Sequence, residues 1–175
     1  MRKRTMEELG RLTAEDFRQA EKMPIVVVLE NIRSMQNVGS VFRTCDAFRV
    51  QELWLAGYTP HPPHRDIHKT ALGSTETVTW RACSSGPEAA QQLRNKGYRV
   101  YAVEQAEPST PLQQLQWDGH IPVALIFGNE ALGVEDATLA CCDGCIEIPQ
   151  LGTKHSLNIS VAAGIVLWEL VRQQV

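Results

Sequence analysis

The sequence has no hydrophobic run long enough to cross a membrane, and no apolar segment follows its basic first residues as it would in a signal peptide. Its five cysteines are an odd number, which favours reduced thiols over a disulfide framework. The net charge is only −3, which argues against a protein that holds nucleic acid by bulk attraction. We therefore expect a cytoplasmic protein without membrane attachment.

What the sequence does contain is enough apolar residues for one well-packed domain. The chain has 175 residues, of which 43% are hydrophobic, so it can bury a core without help from a metal or disulfides. Its charge is uneven, because residues 1–69 carry 11 Lys and Arg against 9 Asp and Glu, whereas residues 70–175 carry 6 against 11. Any polyanion would meet the first half of the chain.

Apolar segments of strand length alternate with helical patterns along the chain, which predicts βαβ units and a parallel sheet. The leader, residues 1–22, contains two capping-box patterns and is expected to form two short helices. Residues 23–175 should form the domain itself, an α/β fold with a six-stranded parallel sheet and helices on both faces. The predicted strands are 24–30, 52–56, 75–80, 98–103, 121–127 and 145–148.

Two strand-loop-helix junctions are candidates for a ligand site, because ligands of parallel sheets bind at the carboxyl ends of the strands. One is the final strand with the apolar helix that starts near Asn158. The other follows the first strand, where residues 31–48 carry an apolar stripe on one side of a helix. Asn37 and Arg43 fall on the opposite, polar side, in a position to touch a ligand.

Several familiar motifs are incomplete here. Gly128 and Gly133 have the spacing of a phosphate loop, but the Lys and Ser/Thr that should follow are missing, and no dinucleotide fingerprint follows the first strand. His64 and His68 could lie on one helix face, yet no third metal ligand is indicated. Cys142 and Cys145 form a single C-x2-C without a second pair. We expect no metal site.

Three blocks of sequence indicate a function only when they are considered together. Taken singly, Arg43, Glu130 and Asn158 fit solvated surface groups as well as functional ones. In order, however, the blocks read N-x5-N-x-G-x3-R (residues 31–43), F-G-N-E-x-x-G-V (127–134) and I-P-x7-L-N-x-S-V-A (148–162). The chain resembles in these blocks the SpoU, or TrmH-like, class of the SPOUT methyltransferases, over about residues 24–172.

The resemblance implies a homodimer whose C-terminal segment is threaded into a deep trefoil knot, an exception to the rule that chains do not thread loops. It implies that S-adenosyl-L-methionine (AdoMet) binds in this knot and that a methyl group is transferred to a ribose 2′-hydroxyl of tRNA or rRNA. The all-round apolar final helix would then be covered by the core and a second subunit. Transferred position by position, the expected cofactor-binding residues are Val103, Gly128, Ile148 and Leu157.

The expected catalytic residues are Arg43, Asn37, Glu130, Ser156 and Asn158. Arg43 matches the family's essential arginine; because a guanidinium stays protonated, we favour phosphate binding and charge stabilisation over a role as a free base. The resemblance leaves open whether Arg43 acts within its own subunit or across the dimer interface. Asn37, Glu130 and Asn158 match the polar residues that orient this arginine and the ribose, and Ser156 would lie beside the methionine end or the ribose.

The RNA and its modified nucleotide are not identified by the sequence. Many relatives carry a separate N-terminal RNA-binding domain, so with this short leader we expect the catalytic domain itself to select the substrate. The candidate RNA contacts are Arg2, Lys3, Arg4, His64, Arg65 and Lys69. Two alternatives remain open: a non-catalytic RNA-binding or assembly protein that retains the fold, and an enzyme of the same fold that methylates a base.

Overall fold

Seven strands form one parallel sheet in the structure, a computed structural model that describes residues 1–5 and 7–175. Their spatial order is β3-β2-β1-β6-β4-β7-β5, and every neighbouring pair runs parallel. The parallel α/β architecture expected from the sequence is therefore confirmed. The strands are β1 (Met23–Glu30), β2 (Val50–Ala56), β3 (Trp80–Cys83), β4 (Arg99–Val103), β5 (Thr110–Pro111), β6 (Val123–Phe127) and β7 (Gly144–Glu147).

Helices connect these strands and cover the sheet. Two apolar clusters, one on each face of the sheet, hold the helices in place. The larger cluster contains the buried residues of α2, α3 and α6, and the smaller one contains those of α4. The helices are α1 (Ala14–Gln19), α2 (Met35–Ala47), α3 (Arg65–Ala71), α4 (Gly86–Asn95), α5 (Asp136–Leu139) and α6 (Ile159–Val171).

The continuous apolar run of β1 reflects its central place between β2 and β6. Successive side chains of a strand point to opposite faces, so a strand covered on both faces needs apolar residues at every position. Val27 and Leu29 accordingly belong to the larger cluster, whereas Val26 and Val28 belong to the smaller one. Removing any of these from water stabilises the fold by roughly 1.5–3 kcal/mol.

Helix α2 begins at a defined point and lies very close to α3. Ser34 is its N-cap, and the Ser34 hydroxyl accepts a hydrogen bond from the Asn37 amide at 3.2 Å. At Gly39 a β-carbon would lie only 2.1 Å from the Thr70 hydroxyl oxygen and 2.3 Å from the Ile67 carbonyl oxygen. A glycine is therefore needed for this crossing, which fixes where the polar side of α2 meets solvent.

Helix α6 returns to pack against α2 and presents two different apolar faces. One face is buried in the larger cluster through Ala163, Val166, Leu167 and Leu170. The other face exposes a second apolar row, which consists of Val161, Ile165 and Trp168. This explains why the sequence of the helix is apolar on nearly all sides, as only half of that surface meets the chain's own core.

Two predictions about the strands are wrong. The sheet has seven strands rather than six, because the short edge strand β5 forms within a polar, proline-containing stretch that carries no strand pattern. The predicted strand at residues 75–80 is mostly absent, since Ser74–Glu76 forms a 3-10 turn and the strand begins only at Trp80. Ser74 and Thr75 are both buried by this turn, so the polar-apolar alternation of residues 75–80 does not mark a strand here.

The leader contains one of its two predicted helices. Thr13 caps α1, where its hydroxyl accepts from the Asp16 amide at 3.1 Å. The other start shows reciprocal capping-box bonds between Thr5 and Glu8, at 2.8 and 3.3 Å, but residues 7–10 form a turn rather than a helix. Met6, which falls within that prediction, lies outside the described residues.

Candidate functional site

The three sequence blocks meet at the carboxyl edge of the sheet. The loop after β1 leads into α2, the loop after β6 spans residues 128–135, and the loop after β7 spans residues 148–158 and leads into α6. Because these strands run parallel, all three loops emerge on the same edge of the sheet. In that sheet β1 and β6 are neighbours, and β7 lies two strands from β6. The topology therefore brings together residues that lie about a hundred positions apart in the chain.

Glu130 is the centre of a hydrogen-bond network at this edge. One carboxylate oxygen accepts from the Ser34 amide at 3.0 Å and from the Asn37 side-chain amide at 2.9 Å. The other accepts from the Arg33 amide at 2.9 Å. A carboxylate suits this place because the N-terminus of α2 presents free N–H groups and a partial positive charge. The loop after β6 is thus tied to the start of α2.

The pKa of Glu130 is held below its usual value by these contacts. Burial opposes the charged form, but the hydrogen bonds from the Arg33 and Ser34 amides and from Asn37 favour it and outweigh the burial. Glu130 is therefore ionised at neutral pH, as an acceptor for three donors must be.

Asn158 extends the network to the third loop. Its side-chain nitrogen donates to the Asn37 side-chain oxygen at 3.1 Å. Its side-chain oxygen accepts from the amide and the hydroxyl of Ser160, at 2.9 and 2.7 Å, and so caps α6. Glu130, Asn37 and Asn158 therefore form one continuous chain of hydrogen bonds, and each comes from a different block.

Loop 128–133 is a tight turn rather than a phosphate loop. The amides and carbonyls of Asn129 and Gly133 exchange two hydrogen bonds of 2.9 Å each. A β-carbon at Gly128 would lie 2.1 Å from the backbone of Gly133, so the close approach of these two glycines requires glycine at position 128. The spacing that looks like a phosphate-loop motif is explained by this fold-back.

A pocket of about 720 Å³ opens beside the network. Its wall includes all four residues predicted to bind the cofactor, Val103, Gly128, Ile148 and Leu157. Glu130, Ser156 and Asn158 also line it. Five segments of the chain contribute to the wall and give the pocket aliphatic side chains and a polar mouth. The lining residues lie within segments 103–106, 127–134, 136–139, 148–150 and 155–162.

The ionisable side chains of the pocket wall are acidic apart from one histidine. They are Glu104, Glu130, Asp136 and His155, and in the described part of the chain no lysine or arginine lines the pocket. Such a wall favours a cationic ligand over a nucleotide phosphate.

Arg43 lies apart from the other predicted catalytic residues. It is exposed on α2, six residues after Asn37, which is about 9 Å along the helix axis. Arg43 does not line the pocket, and its side chain has no hydrogen bond or ion pair with any residue that the structure describes. The structure thus joins three of the five predicted residues, places Ser156 at the pocket wall, and leaves Arg43 on the neighbouring surface.

The predicted RNA contacts are surface residues, several of which have local partners. Arg2 pairs with Glu8 at 2.6 Å, and Lys69 pairs with Asp66 at 2.7 Å. His64 caps α3, where its Nδ1 accepts from the Asp66 amide at 3.1 Å. Lys3, Arg4 and Arg65 are exposed as well. Their part in RNA binding stays a prediction.

The histidine and cysteine motifs have structural uses. The Nδ1 of His68 lies 3.4 Å from the Thr75 hydroxyl. All five cysteines are free thiols, and burial raises the pKa of the Cys142 thiol to about 12. Across residues 1–5 and 7–175 there is no cluster of three His, Cys, Asp or Glu side chains that could hold a metal ion.

The sequence analysis missed Glu30, a fully buried carboxyl at the end of β1. It accepts from the Thr138 hydroxyl and from the Glu135 amide at 3.0 Å, and so supports the far end of the loop that carries Glu130. Burial raises its pKa, partly offset by these hydrogen bonds. The available signal was a carboxylate that ends an otherwise continuous apolar strand.

Sequence and structure comparisons identify similar proteins. The model of the family described as "SpoU rRNA Methylase family" matches residues 24–168. The tRNA (guanosine(18)-2'-O)-methyltransferase of Thermus thermophilus is 35% identical over 174 residues, which are 99% of this chain and 87% of the relative. The 23S rRNA (guanosine-2'-O-)-methyltransferase RlmB of Pseudomonas aeruginosa is 29% identical over 160 residues, 91% of this chain but only 63% of the relative.

Solved structures with the same architecture include a TrmH/SpoU tRNA modifying enzyme from A. aeolicus. It matches with a TM-score of 0.80 and 26% identity, over 92% of this chain and 82% of its own. An AdoMet-bound rRNA methyltransferase from Sinorhizobium meliloti matches with a TM-score of 0.82 and 26% identity, over 91% of this chain and 60% of its own.

Proposed function

The chain belongs to the SpoU rRNA methylase family, and from this membership we propose that it transfers a methyl group from AdoMet to a ribose 2′-hydroxyl of tRNA or rRNA. The family that the sequence blocks indicated is confirmed by the family match, and its ribose-directed reaction and its cofactor agree with the names of the relatives and of the AdoMet-bound neighbours.

One observation carries the proposal: Asn37, Glu130 and Asn158 join into a network that opens onto the pocket. A methyltransferase must hold a nucleophile and a methyl donor in a fixed relative position, and most of its rate advantage comes from that positioning. A polar network fixed by backbone donors at the mouth of an aliphatic pocket is suited to hold a ribose against a bound donor.

The pocket suits AdoMet in size and in charge. A volume of about 720 Å³ lies in the range of small-molecule sites. Val103, Ile148 and Leu157 offer aliphatic surface to an adenosine, whereas Glu104 and Asp136 give an acidic environment to a cationic ligand. When bound, AdoMet supplies the methyl group already activated on a positively charged sulfonium.

We assign the substrate side of the reaction to Arg43 and the network. Asn37 and Asn158 have amide groups that can bind ribose hydroxyls, and Glu130 holds Asn37 in place. Ser156, at the pocket wall, can bind the ribose or the methionine end of the donor. Arg43, a permanent cation with five donors, would bind a phosphate next to the ribose and stabilise negative charge as the hydroxyl reacts.

A second copy of the chain would complete this site. Val161, Ile165 and Trp168 form an exposed apolar row on α6, and Trp168 is 53% exposed although it contacts Phe48, the C-cap of α2, with ring centroids 6.2 Å apart. Such a row on one helix favours a self-complementary dimer interface. Because Phe48 caps the helix that carries Arg43, a partner seated there would bring its own pocket towards Arg43.

The family resemblance further implies that the C-terminal segment is threaded as a trefoil knot. We also keep the division of the chain into a leader, residues 1–22, and a domain, residues 23–175. A crystal structure of the AdoMet complex would test the knot and the dimer together.

The described chain has no helix long and apolar enough to span a membrane. A cytoplasmic location stays a prediction, to be tested by cell fractionation.

The direct test is tritium transfer from labelled AdoMet into unmodified tRNA and rRNA transcripts, together with calorimetry of AdoMet binding. We expect incorporation by the native protein and loss of AdoMet affinity in Ile148→Lys and Leu157→Lys, because a cation in the pocket would repel a cationic donor. AdoMet affinity absent in the native protein, with RNA still bound, would instead support a non-catalytic RNA-binding protein.

A further inference from the structure

Tyr58 is a large aromatic residue at the edge of the candidate site that no step of the proposed reaction uses. It lies two residues after the end of β2 and so emerges on the same edge of the sheet as the three loops. Its side chain is 60% exposed. A ring of this size left in water at a functional edge calls for an explanation, because exposing it forfeits the stabilisation that burial would give.

The backbone of Tyr58 is locked in place. Its amide donates to the Asn31 side-chain oxygen at 3.2 Å, and Asn31 itself has a positive φ of 55° and donates to Glu135 at 2.7 Å. The preceding Gly57 also has a positive φ, 64°, and a β-carbon there would lie 2.0 Å from the same Asn31 oxygen. Two residues in the left-handed region thus serve to aim Tyr58.

The far end of the ring is fixed as well. The Tyr58 hydroxyl oxygen accepts from the Asn129 side-chain nitrogen at 3.0 Å. Asn129 is buried, and its other bonds hold the turn that carries Glu130: its nitrogen also donates to the Asn31 carbonyl at 2.7 Å, and its oxygen accepts from the Ala131 and Leu132 amides at 2.9 and 3.0 Å. The ring is therefore hydrogen-bonded to the residue that directly precedes Glu130 in the chain.

We propose that Tyr58 is a stacking platform for a nucleobase of the RNA substrate, next to the ribose that is methylated. The inference rests on the proposed function. Proteins recognise unpaired RNA by stacking its bases on exposed aromatic rings, and a ring held at both ends loses little conformational entropy when a base arrives. A neutral aromatic face would place the base, and the network beside it would then meet the attached ribose.

The test compares Tyr58→Leu with Tyr58→Phe in methyl transfer to the transcript that the native protein methylates best. Tyr58→Leu removes the aromatic face, whereas Tyr58→Phe keeps it and removes only the bond to Asn129. For Tyr58→Leu we expect a KM for RNA that is about 5- to 100-fold higher, with an unchanged AdoMet affinity in calorimetry. Tyr58→Phe should stay within about threefold of the native KM.

A second measurement separates stacking from a supporting role. Once the methylated nucleotide has been mapped, transcripts lacking the base at that position or at either neighbour are compared. One of these abasic transcripts should bind the native protein less tightly but bind Tyr58→Leu no worse than the intact transcript does, because the variant has no stacking left to lose.

Three results would overturn the inference. One is an unchanged KM for RNA in Tyr58→Leu. Another is a rise in the KM for RNA that is as large in Tyr58→Phe as in Tyr58→Leu. That result would show that the hydroxyl supports the loop and that no base stacks on the ring. The third is an abasic penalty as large in the variant as in the native protein. A native protein that transfers no methyl at all would instead contradict the proposed function.

Discussion

The first turn of helix α2 and the surface around Arg43, further along the same helix, differ in how far the chain itself completes them. At the first turn, Ser34 and Asn37 are tied to Glu130, and Asn37 is tied to Asn158. Two turns later, Arg43 is exposed and has no hydrogen-bond or ion-pair partner in the described part of the chain. The first region is completed by residues of the chain itself, whereas Arg43 has no such partner among the described residues.

We expect the first turn of α2 to support the structure and Arg43 to take part in the reaction. Hydrogen bonds that fold the loops hold the first turn in one geometry, so changes there should affect stability and activity together. The Arg43 guanidinium contributes little to folding, because none of residues 1–5 and 7–175 pairs with it, and it is available for a phosphate or a second subunit. Changes at Arg43 should therefore affect activity alone, and this contrast can be tested.

The largest effect is expected for Arg43→Ala. We expect methyl transfer to fall by roughly 10²- to 10³-fold, the range seen when one charge-stabilising donor is removed from an active site. Arg43→Lys should recover only part of this loss, because an ammonium cannot form the paired contacts of a guanidinium. Single-turnover kinetics measures the rate, and the melting temperature should match the native protein. Full activity in Arg43→Ala would show that Arg43 is not part of the active site.

Glu130→Ala should affect both properties. Three donors lose their acceptor, so we expect a free energy of unfolding lower by about 1 kcal/mol or more and an activity lower by roughly 10- to 100-fold. Urea denaturation and methyl transfer measure the two quantities on one preparation. The matched control is Glu107→Ala, an exposed carboxylate outside this network. A loss of activity without any loss of stability would contradict the scaffold role.

Trp168→Glu tests whether the exposed row on α6 belongs to a dimer. A charge buried at an apolar interface is costly, so we expect sedimentation to show a monomer and activity to fall by about tenfold or more. Leu72→Glu changes another exposed apolar residue outside the row and should leave the dimer intact. A native protein that sediments as a monomer would rule out the second copy as the partner of Arg43.

The smallest effect is a dependence of stability on pH. The folded pKa of Glu130 is lowered, so its ionised form stabilises the fold above the unfolded value of about 4.3, and this stabilisation is lost as pH falls through the folded pKa. The gap in unfolding free energy between native protein and Glu130→Gln should thus be widest near neutral pH and close in acid. A gap independent of pH would contradict this.

Much of the fold was predictable from residue patterns, because a central parallel strand such as β1 must be apolar on both faces. The short strand β5 was not, since its two residues pair at an edge and need no pattern. The 3-10 turn at Ser74–Glu76 was missed because the sequence of residues 75–80 alternates as that of a strand does, although the strand begins only at Trp80.

The candidate site was predictable only in part. Asn37, Glu130 and Asn158 could be singled out because they follow strands in three matching blocks. That they bond to one another follows from the strand order, which brings the ends of β1 and β6 side by side and which no local pattern records. Tyr58 and Glu30 were missed because their significance lies in long-range contacts that no local pattern records, between Tyr58 and Asn129 and between Glu30 and Thr138.

The reaction itself is tested by letting the native protein react with RNA and AdoMet that carries a deuterated methyl group, and then analysing the digested nucleosides by mass spectrometry. We expect the heavy methyl to stay with the ribose fragment when the base is cleaved off. A heavy methyl found on the base, or in no nucleoside at all, would contradict this expectation.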